Sequence, residues 1–181
     1  PLLCAAATVL LGGCSTFGFG GSNNDDDNVP TVVKKKADYG QAYKDYVELG
    51  AQYLQMGRYD LAEPKLQRAI EIDSRPPEAW NILAVLYEEK RDIASGNQVY
   101  QKLIHSHPEY LLGYTNYATF LCKFDRDSEM QTLLGQMRGR NAEFKAAAGI
   151  AEGNCMAARN QIGQAENAYK QAIAVNPQAE G

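Results

Sequence analysis

Leu49-Gly50-Ala51-Gln52-Tyr53 is followed 34 residues later by Leu83-Ala84-Val85-Leu86-Tyr87, and both stretches keep a leucine, a small residue and a tyrosine at the same spacing. A leucine and a tyrosine four positions apart lie on one face of a helix, with the small residue beside them. Self-similarity at a fixed period of this length is typical of a solenoid, in which helical units stack along one axis. The chain therefore predicts a repeat fold.

The period indicates tetratricopeptide repeats, in which each unit is a helix pair with bulky residues packed against small ones. A first unit starting at Tyr43 and a second starting at Pro77 both match this pattern. The bulky and small positions hold Tyr46, Leu49, Gly50, Tyr53, Ala62, Leu66 and Ala69 in the first unit, and Trp80, Leu83, Ala84, Tyr87, Gly96, Tyr100 and Leu103 in the second. Asp60 and Glu63 are predicted to cap the second helix, with Pro64 in or near its first turn or kinking it.

Two further units, starting at Leu111 and Ala146, are less regular. The third is predicted to be one residue longer and to pack differently, because Met130 and Met137 stand where small residues are usual. In the fourth, Gly149 stands at an apolar position and predicts a weak first helix. We expect an all-α tetratricopeptide-repeat solenoid of about four helix pairs in a right-handed superhelix. Its domain covers residues 37–181, with repeats at about 43–76, 77–110, 111–145 and 146–179.

The N-terminal stretch Leu11-Gly12-Gly13-Cys14 resembles the cleavage site of a bacterial lipoprotein signal peptide. The apolar run before it would cover about 15 Å as a helix, half of a hydrocarbon core of roughly 30 Å, so it predicts a signal segment and not a membrane span. Cleavage is expected between Gly13 and Cys14, with the Cys14 sulfur carrying the lipid. No Met, Lys or Arg precedes the run, so residues 1–13 are expected to be a signal peptide clipped at its start.

Residues 14–36 are rich in Gly, Asn, Asp and Lys and predict a flexible linker with a reach of about 25 Å. An acylated Cys14 would hold the domain on a membrane. The residue after the cysteine is Ser15 and not Asp, which resembles the pattern of lipoproteins that are sorted to the outer membrane. The chain is therefore expected to be lipid-anchored on the periplasmic face of that membrane.

The concave side of such a solenoid is the expected binding surface, lined by the first helix of each pair. Val47, Ala51 and Leu54 form an apolar strip on that side, in a pattern that suits a peptide with apolar anchors. The next repeat contributes more polar positions. The predicted partner-binding groove is Val47, Ala51, Leu54, Asn81, Val85 and Glu88. The alternative is a helix rotated by one residue, which would bury Val47 and Leu54 in the core.

No residue pattern indicates catalysis, a metal or a cofactor, so we expect a protein that is not an enzyme. His105 and His107 lie at a predicted helix end, which favours cationic side chains. A net charge of −4 with mixed signs along the chain gives no basic face for nucleic acid. Cys122 and Cys155 are left open: a disulfide is one alternative, although neighbouring helix axes about 8 to 10 Å apart leave little room for it.

The repeats also resemble the PilF/PilW family of type IV pilus biogenesis lipoproteins, or pilotins. The similarity lies in Tyr46-Val47-Glu48-Leu49-Gly50 with Tyr53-Leu54-Gln55, in Leu66 to Asp73, and in Asn116-Tyr117. It implies an outer-membrane lipoprotein that binds the pilus secretin and supports its outer-membrane localisation and multimerisation. This chain differs in having four repeats where six are usual. The alternative is a general envelope scaffold lipoprotein for barrel assembly or for organising cell-wall hydrolases.

Overall fold

A computed structural model describes residues 38–177 and shows eight α-helices in that range. The helices are α1 (Tyr39–Gln55), α2 (Tyr59–Ile72), α3 (Glu78–Glu89), α4 (Ile93–Ser106), α5 (Leu111–Lys123), α6 (Asp127–Arg138), α7 (Ala142–Ala158) and α8 (Ile162–Val175). Short connections make consecutive helices antiparallel neighbours, and the prediction of an all-α repeat solenoid is confirmed. The predicted signal peptide, linker and lipidated Cys14 lie outside the described residues.

Each helix pair turns through one residue in the left-handed conformation. These residues are Gly57, Arg91, Asp125 and Asn160, with φ of 69°, 56°, 54° and 61°. In every turn the amide of the following residue donates to the carbonyl five positions earlier, at 2.8 to 2.9 Å. This bond closes the end of the first helix. The same turn therefore occurs four times in the described residues, although glycine, which adopts this conformation most easily, is used only in the first.

The predicted cap of α2 is wrong. The helix begins at Tyr59, and Arg58 precedes it without a side-chain hydrogen bond to the helix. Glu63 instead accepts hydrogen bonds from Tyr87 Oη at 2.8 Å and Lys90 Nζ at 2.6 Å, so it ties the first helix pair to the second. Pro64 is accommodated inside α2.

The core forms where small residues of one helix receive bulky residues of another. A Cβ atom added to Gly50 would lie 2.7 Å from Leu66, and one added to Gly96 would lie 2.8 Å from the Phe120 ring. Both Leu66 and Phe120 are fully buried. The largest buried cluster runs from α3 to α7 and continues across repeat boundaries, as expected when each unit covers its neighbour.

The expectation of a weak first helix in the fourth unit is also wrong. α7 spans 17 residues, as many as α1, and is capped by Asn141, whose side chain accepts a hydrogen bond from the Phe144 amide at 3.0 Å. A Cβ atom added to Gly149 would lie 3.2 Å from the Ala168 carbonyl oxygen of α8. The small residues that weaken the apolar pattern therefore allow α7 and α8 to pack closely.

Candidate protein-binding groove

The first helix pair borders an open cavity of about 460 Å³, which we call the α1 cavity. One wall comes from α1, where residues three or four positions apart share a face. The other wall comes from the connection between α2 and α3 and the start of α3. The lining residues are Gly40, Tyr43, Lys44, Val47, Glu48, Asp73, Pro76 and Glu78. The walls are mainly apolar and the charged groups lie among them, so the cavity suits an apolar side chain with polar neighbours.

The structure separates the members of the predicted apolar strip. Val47 is half-buried: it lines the α1 cavity and also packs against a small cluster formed by Tyr43, Ala69 and Ala79. Leu54 is half-buried against a different cluster, which includes Leu66 and is part of the core. Ala51 is half-buried and does not line the cavity. Val47 is thus the strip residue that a ligand in the cavity would contact.

Two of the three groove positions predicted on α3 already have partners. Asn81 is only 8% exposed, and its Oδ1 accepts a hydrogen bond from Asn116 Nδ2 at 2.9 Å. Glu88 accepts a bond at 2.9 Å from Lys123 Nζ. This bond raises the pKa of Lys123 above its ordinary value. Val85 is half-buried. Asn81 and Glu88 therefore connect α3 to α5.

Tyr43 lines the α1 cavity and connects its two walls. Its hydroxyl accepts a hydrogen bond from the Ala79 amide at 3.3 Å and donates one to Glu78 Oε2 at 3.5 Å. Burial raises the pKa of Tyr43 to about 12, so the hydroxyl is neutral at physiological pH. These bonds tie α1 to the start of α3 and fix the width of the cavity.

The charged side chains that line the α1 cavity differ in whether they have an ion-pair partner. Arg75 donates two side-chain hydrogen bonds to Asp73, at 2.8 and 2.9 Å, and these bonds hold the pKa of Asp73 down to about 2. Glu48 and Glu78 are exposed, and their carboxylates have no ion-pair partner within 4.0 Å in residues 38–177. Lys44 is the basic residue of the lining. Glu48 and Glu78 are thus placed to receive a positive charge.

The wall formed by Asp73, Pro76 and Glu78 was not predicted from the sequence. The first-helix positions of a repeat identify only one side of this cavity, because the other side depends on how the connection between α2 and α3 bends. The pair Pro76-Pro77 is the available signal, since consecutive prolines end a helix and fix the direction of the following chain.

A disulfide joins Cys122 of α5 to Cys155 of α7, with their Cα atoms 5.8 Å apart. Of the two alternatives left open by the sequence, the structure has the bonded one. Arg159 lies beside it and donates to the Cys122 carbonyl at 3.3 Å and to Asp127 at 2.7 Å. The first helices of the third and fourth pairs are therefore held together both covalently and by polar contacts.

Among residues 38–177, no group of three or more His, Cys, Asp or Glu side chains could hold a metal ion. His105 lies in the last turn of α4, and His107 follows as its C-cap residue. In the same range, no helix is both long enough and apolar enough to cross a membrane.

Comparison with known proteins is consistent with the repeat pattern. The tetratricopeptide-repeat family model matches residues 47–110. The type IV pilus assembly protein PilF of Pseudomonas aeruginosa is 31% identical over 96 residues, which is 52% of this chain and 38% of PilF. The chain thus spans less than half of that relative.

Solved structures show the same fold. P. aeruginosa PilF superposes with a TM-score of 0.61 at 23% identity, covering 79% of this chain and 65% of PilF. PilW, described as a type IV pilus biogenesis factor, gives 0.59 at 22%, covering 76% and 64%. A thermophilic repeat protein of Thermus thermophilus gives 0.55 at 23%, covering 75% of each chain. The chain is a tetratricopeptide-repeat protein similar to PilF and PilW, as the sequence motifs predicted.

Proposed function

We propose that this chain is an outer-membrane lipoprotein that binds the type IV pilus secretin and supports its localisation and multimerisation during pilus biogenesis. The observation that carries the proposal is the similarity to PilF, a type IV pilus assembly protein, at 31% identity. The fold alone does not choose a partner, because unrelated proteins share it. The sequence similarity favours the pilus over a general scaffold for barrel assembly or cell-wall hydrolases.

The α1 cavity is the proposed contact for a segment of the secretin. Its volume of about 460 Å³ is in the range of pockets that enclose a ligand group, so it would take one or two apolar side chains of a peptide. Repeat solenoids present such concave surfaces to extended or helical segments. Two of the groove positions predicted on α3 are less suited to bind a partner, because Asn81 and Glu88 already form hydrogen bonds with α5. This favours the α1 cavity as the contact.

The disulfide supports the proposed compartment. Disulfides form and persist in oxidising environments such as the bacterial periplasm. A domain on the periplasmic face of the outer membrane, anchored through acylated Cys14, would be in that environment. Two or more acyl chains on Cys14 would give stable anchoring, which a single chain does not.

We expect Val47→Asp to lower capture of the secretin by at least tenfold. The aspartate would place a charge in an apolar wall beside Glu48 and close to Glu78, which costs both desolvation and repulsion. Capture from detergent-solubilised envelopes by the tagged full chain measures the effect. Circular dichroism and the thermal midpoint show whether the helices are retained.

The matched control for Val47→Asp is Ile173→Asp, the same kind of change at a residue 55% exposed on α8. The control variant should capture the secretin as the wild type does. Leu54→Asp would not test the cavity, because Leu54 does not line it. Equal capture by the Val47→Asp and wild-type chains would show that the cavity is not the contact.

We expect Cys14→Ser to leave secretin capture unchanged and to remove the chain from the outer membrane. Serine has no thiol to accept the lipid, and without acyl chains the domain has no anchor. Membrane fractionation and the amount of secretin multimer in the outer membrane are the measurements. Secretin multimers at wild-type level with this variant would contradict the proposed localisation role.

A further inference from the structure

The two exposed carboxylates of the α1 cavity come from different helices. Glu48 lies on α1, and Glu78 is the first residue of α3. Glu48 accepts a hydrogen bond from Gln52 Nε2 at 3.1 Å, and Glu78 accepts one from Tyr43 Oη at 3.5 Å. Both donors are neutral groups, so these bonds leave the two negative charges without a counter-charge.

The basic residue of the lining offsets only part of this charge. Lys44 lies four positions before Glu48 and on the same face of α1, yet the two side chains form no ion pair within 4.0 Å among residues 38–177. A lysine that precedes a glutamate by four positions is the weaker order for such a pair. Asp73 is already paired with Arg75. Lys44 therefore balances one of the two free carboxylates, and the lining keeps one net negative charge.

The charge of Glu78 also acts beyond the cavity. Burial, together with the nearby Glu78 carboxylate, raises the pKa of Tyr110, which precedes α5. Tyr43 is subject to the same two effects and has a pKa of about 12. Both hydroxyls are thus neutral and cannot compensate the carboxylate. A cation brought by a ligand is the group that would.

The length of the cavity limits how far apart the contacts of a ligand lie. The seven helical steps from Gly40 to Val47 cover about 10 Å along α1. An extended peptide advances about 3.3 Å per residue and places every second side chain on the same face. A helical peptide places residues three or four positions apart on the same face. An apolar side chain and a charged side chain that both reach the cavity are therefore two to four positions apart.

We propose that the α1 cavity selects a partner segment with an apolar side chain and a lysine or arginine two to four positions from it. The apolar side chain packs on Val47, and the cation lies beside Glu48 and Glu78. A purely apolar segment would desolvate the carboxylates without a partner, and an acidic one would be repelled, so both are disfavoured. This specificity rests on the proposed function, which makes the cavity the contact with the secretin.

The test uses a random peptide library of about twelve residues displayed on phage and selected on the purified full chain. We expect peptides with the apolar and basic pair at this spacing to be at least threefold more frequent than in the unselected library. The most enriched peptides, made synthetically, should bind the double variant Glu48→Gln with Glu78→Gln at least fivefold more weakly in fluorescence anisotropy. Glutamine removes the charge but keeps an oxygen that accepts the Tyr43 hydrogen bond.

The matched control is Glu143→Gln. Glu143 is exposed in the first turn of α7, as Glu78 is in α3, and it has no ion-pair partner in the part of the chain that the structure describes. The control loses the same favourable charge at a helix start but lies outside the cavity, so it should bind the peptides as the wild type does. Added salt should weaken wild-type binding more than binding by the double variant, because it screens exposed charges.

Three outcomes would overturn the inference. The first is no excess of such peptides over the unselected library. The second is equal affinity of the enriched peptides for the wild type and the double variant. The third is a wild-type dimer that the double variant converts to a monomer in sedimentation, which would assign the cavity to a second copy of the chain.

The same variants separate this inference from the proposed function. Secretin capture that the double variant retains, while the peptides keep their preference for the wild type, would count against the secretin as the ligand of the cavity. Secretin capture that Val47→Asp abolishes and the double variant retains, without any basic preference in the library, would count against the specificity alone.

Discussion

Replacing Cys122 and Cys155 together with alanine is expected to lower the free energy of unfolding by about 2 to 4 kcal/mol. The bond joins residues 33 positions apart, so it restricts the unfolded chain over roughly one repeat. Alanine is the suitable replacement because Cys155 is 7% exposed, and serine would bury a hydroxyl there. Alanine also favours the helices in which both cysteines lie.

Denaturant unfolding of the wild-type and double-alanine chains measures this effect. A reductant should move the wild-type midpoint towards that of the variant and leave the variant unchanged, which separates this bond from any effect on Cys4 or Cys14. Hydrogen exchange should increase most in α7 and α8, because repeat stability is the sum of local units and neighbour contacts. A wild-type midpoint indifferent to reductant would contradict the assigned bond.

The disulfide also shows why the sequence predicted the fold better than it predicted this contact. The repeat period depends on a pattern that each unit shows again, so a few irregular residues do not hide it. Pairing of Cys122 with Cys155 depends on a single distance. A typical separation between helix axes left little room for this bond. In the structure the Cα atoms of the two cysteines are 5.8 Å apart. The largest core cluster holds both cysteines together with three buried alanines of α7, Ala147, Ala148 and Ala151, whose small side chains allow the helices to approach.

The candidate groove was predictable in part. The face of α1 that carries Val47 follows from repeat positions, but the opposing wall follows from a connection that the repeat pattern does not describe. The sequence does contain a pattern that predicts the contacts of the two α3 groove positions with α5. Asn81 pairs with Asn116 and Glu88 with Lys123, both 35 residues apart, so complementary side chains one repeat apart predict contacts between neighbouring first helices.

Gly96→Ala is expected to destabilise the chain by about 1 to 3 kcal/mol, although alanine favours helices more than glycine does. The added Cβ would lie 2.8 Å from Cε2 and 3.2 Å from Cζ of Phe120. Phe120 cannot move aside easily, because it is fully buried and its ring centroid is 5.3 Å from that of Tyr100 and 4.9 Å from that of Phe124. The substitution therefore overpacks the contact between α4 and α5.

Gly135→Ala is the matched control, since Gly135 also lies in the second helix of its pair and a Cβ there would meet no atom within 4 Å. It should raise stability by about 0.5 to 1 kcal/mol, because it removes the entropic cost of a helical glycine without adding a clash. The two variants thus isolate packing from helix propensity: the same methyl group is expected to act with opposite signs on the denaturant midpoint. A stabilised Gly96→Ala chain would mean that the Phe120 ring relaxes at little cost and that close approach at this position does not set the spacing of the second and third repeats.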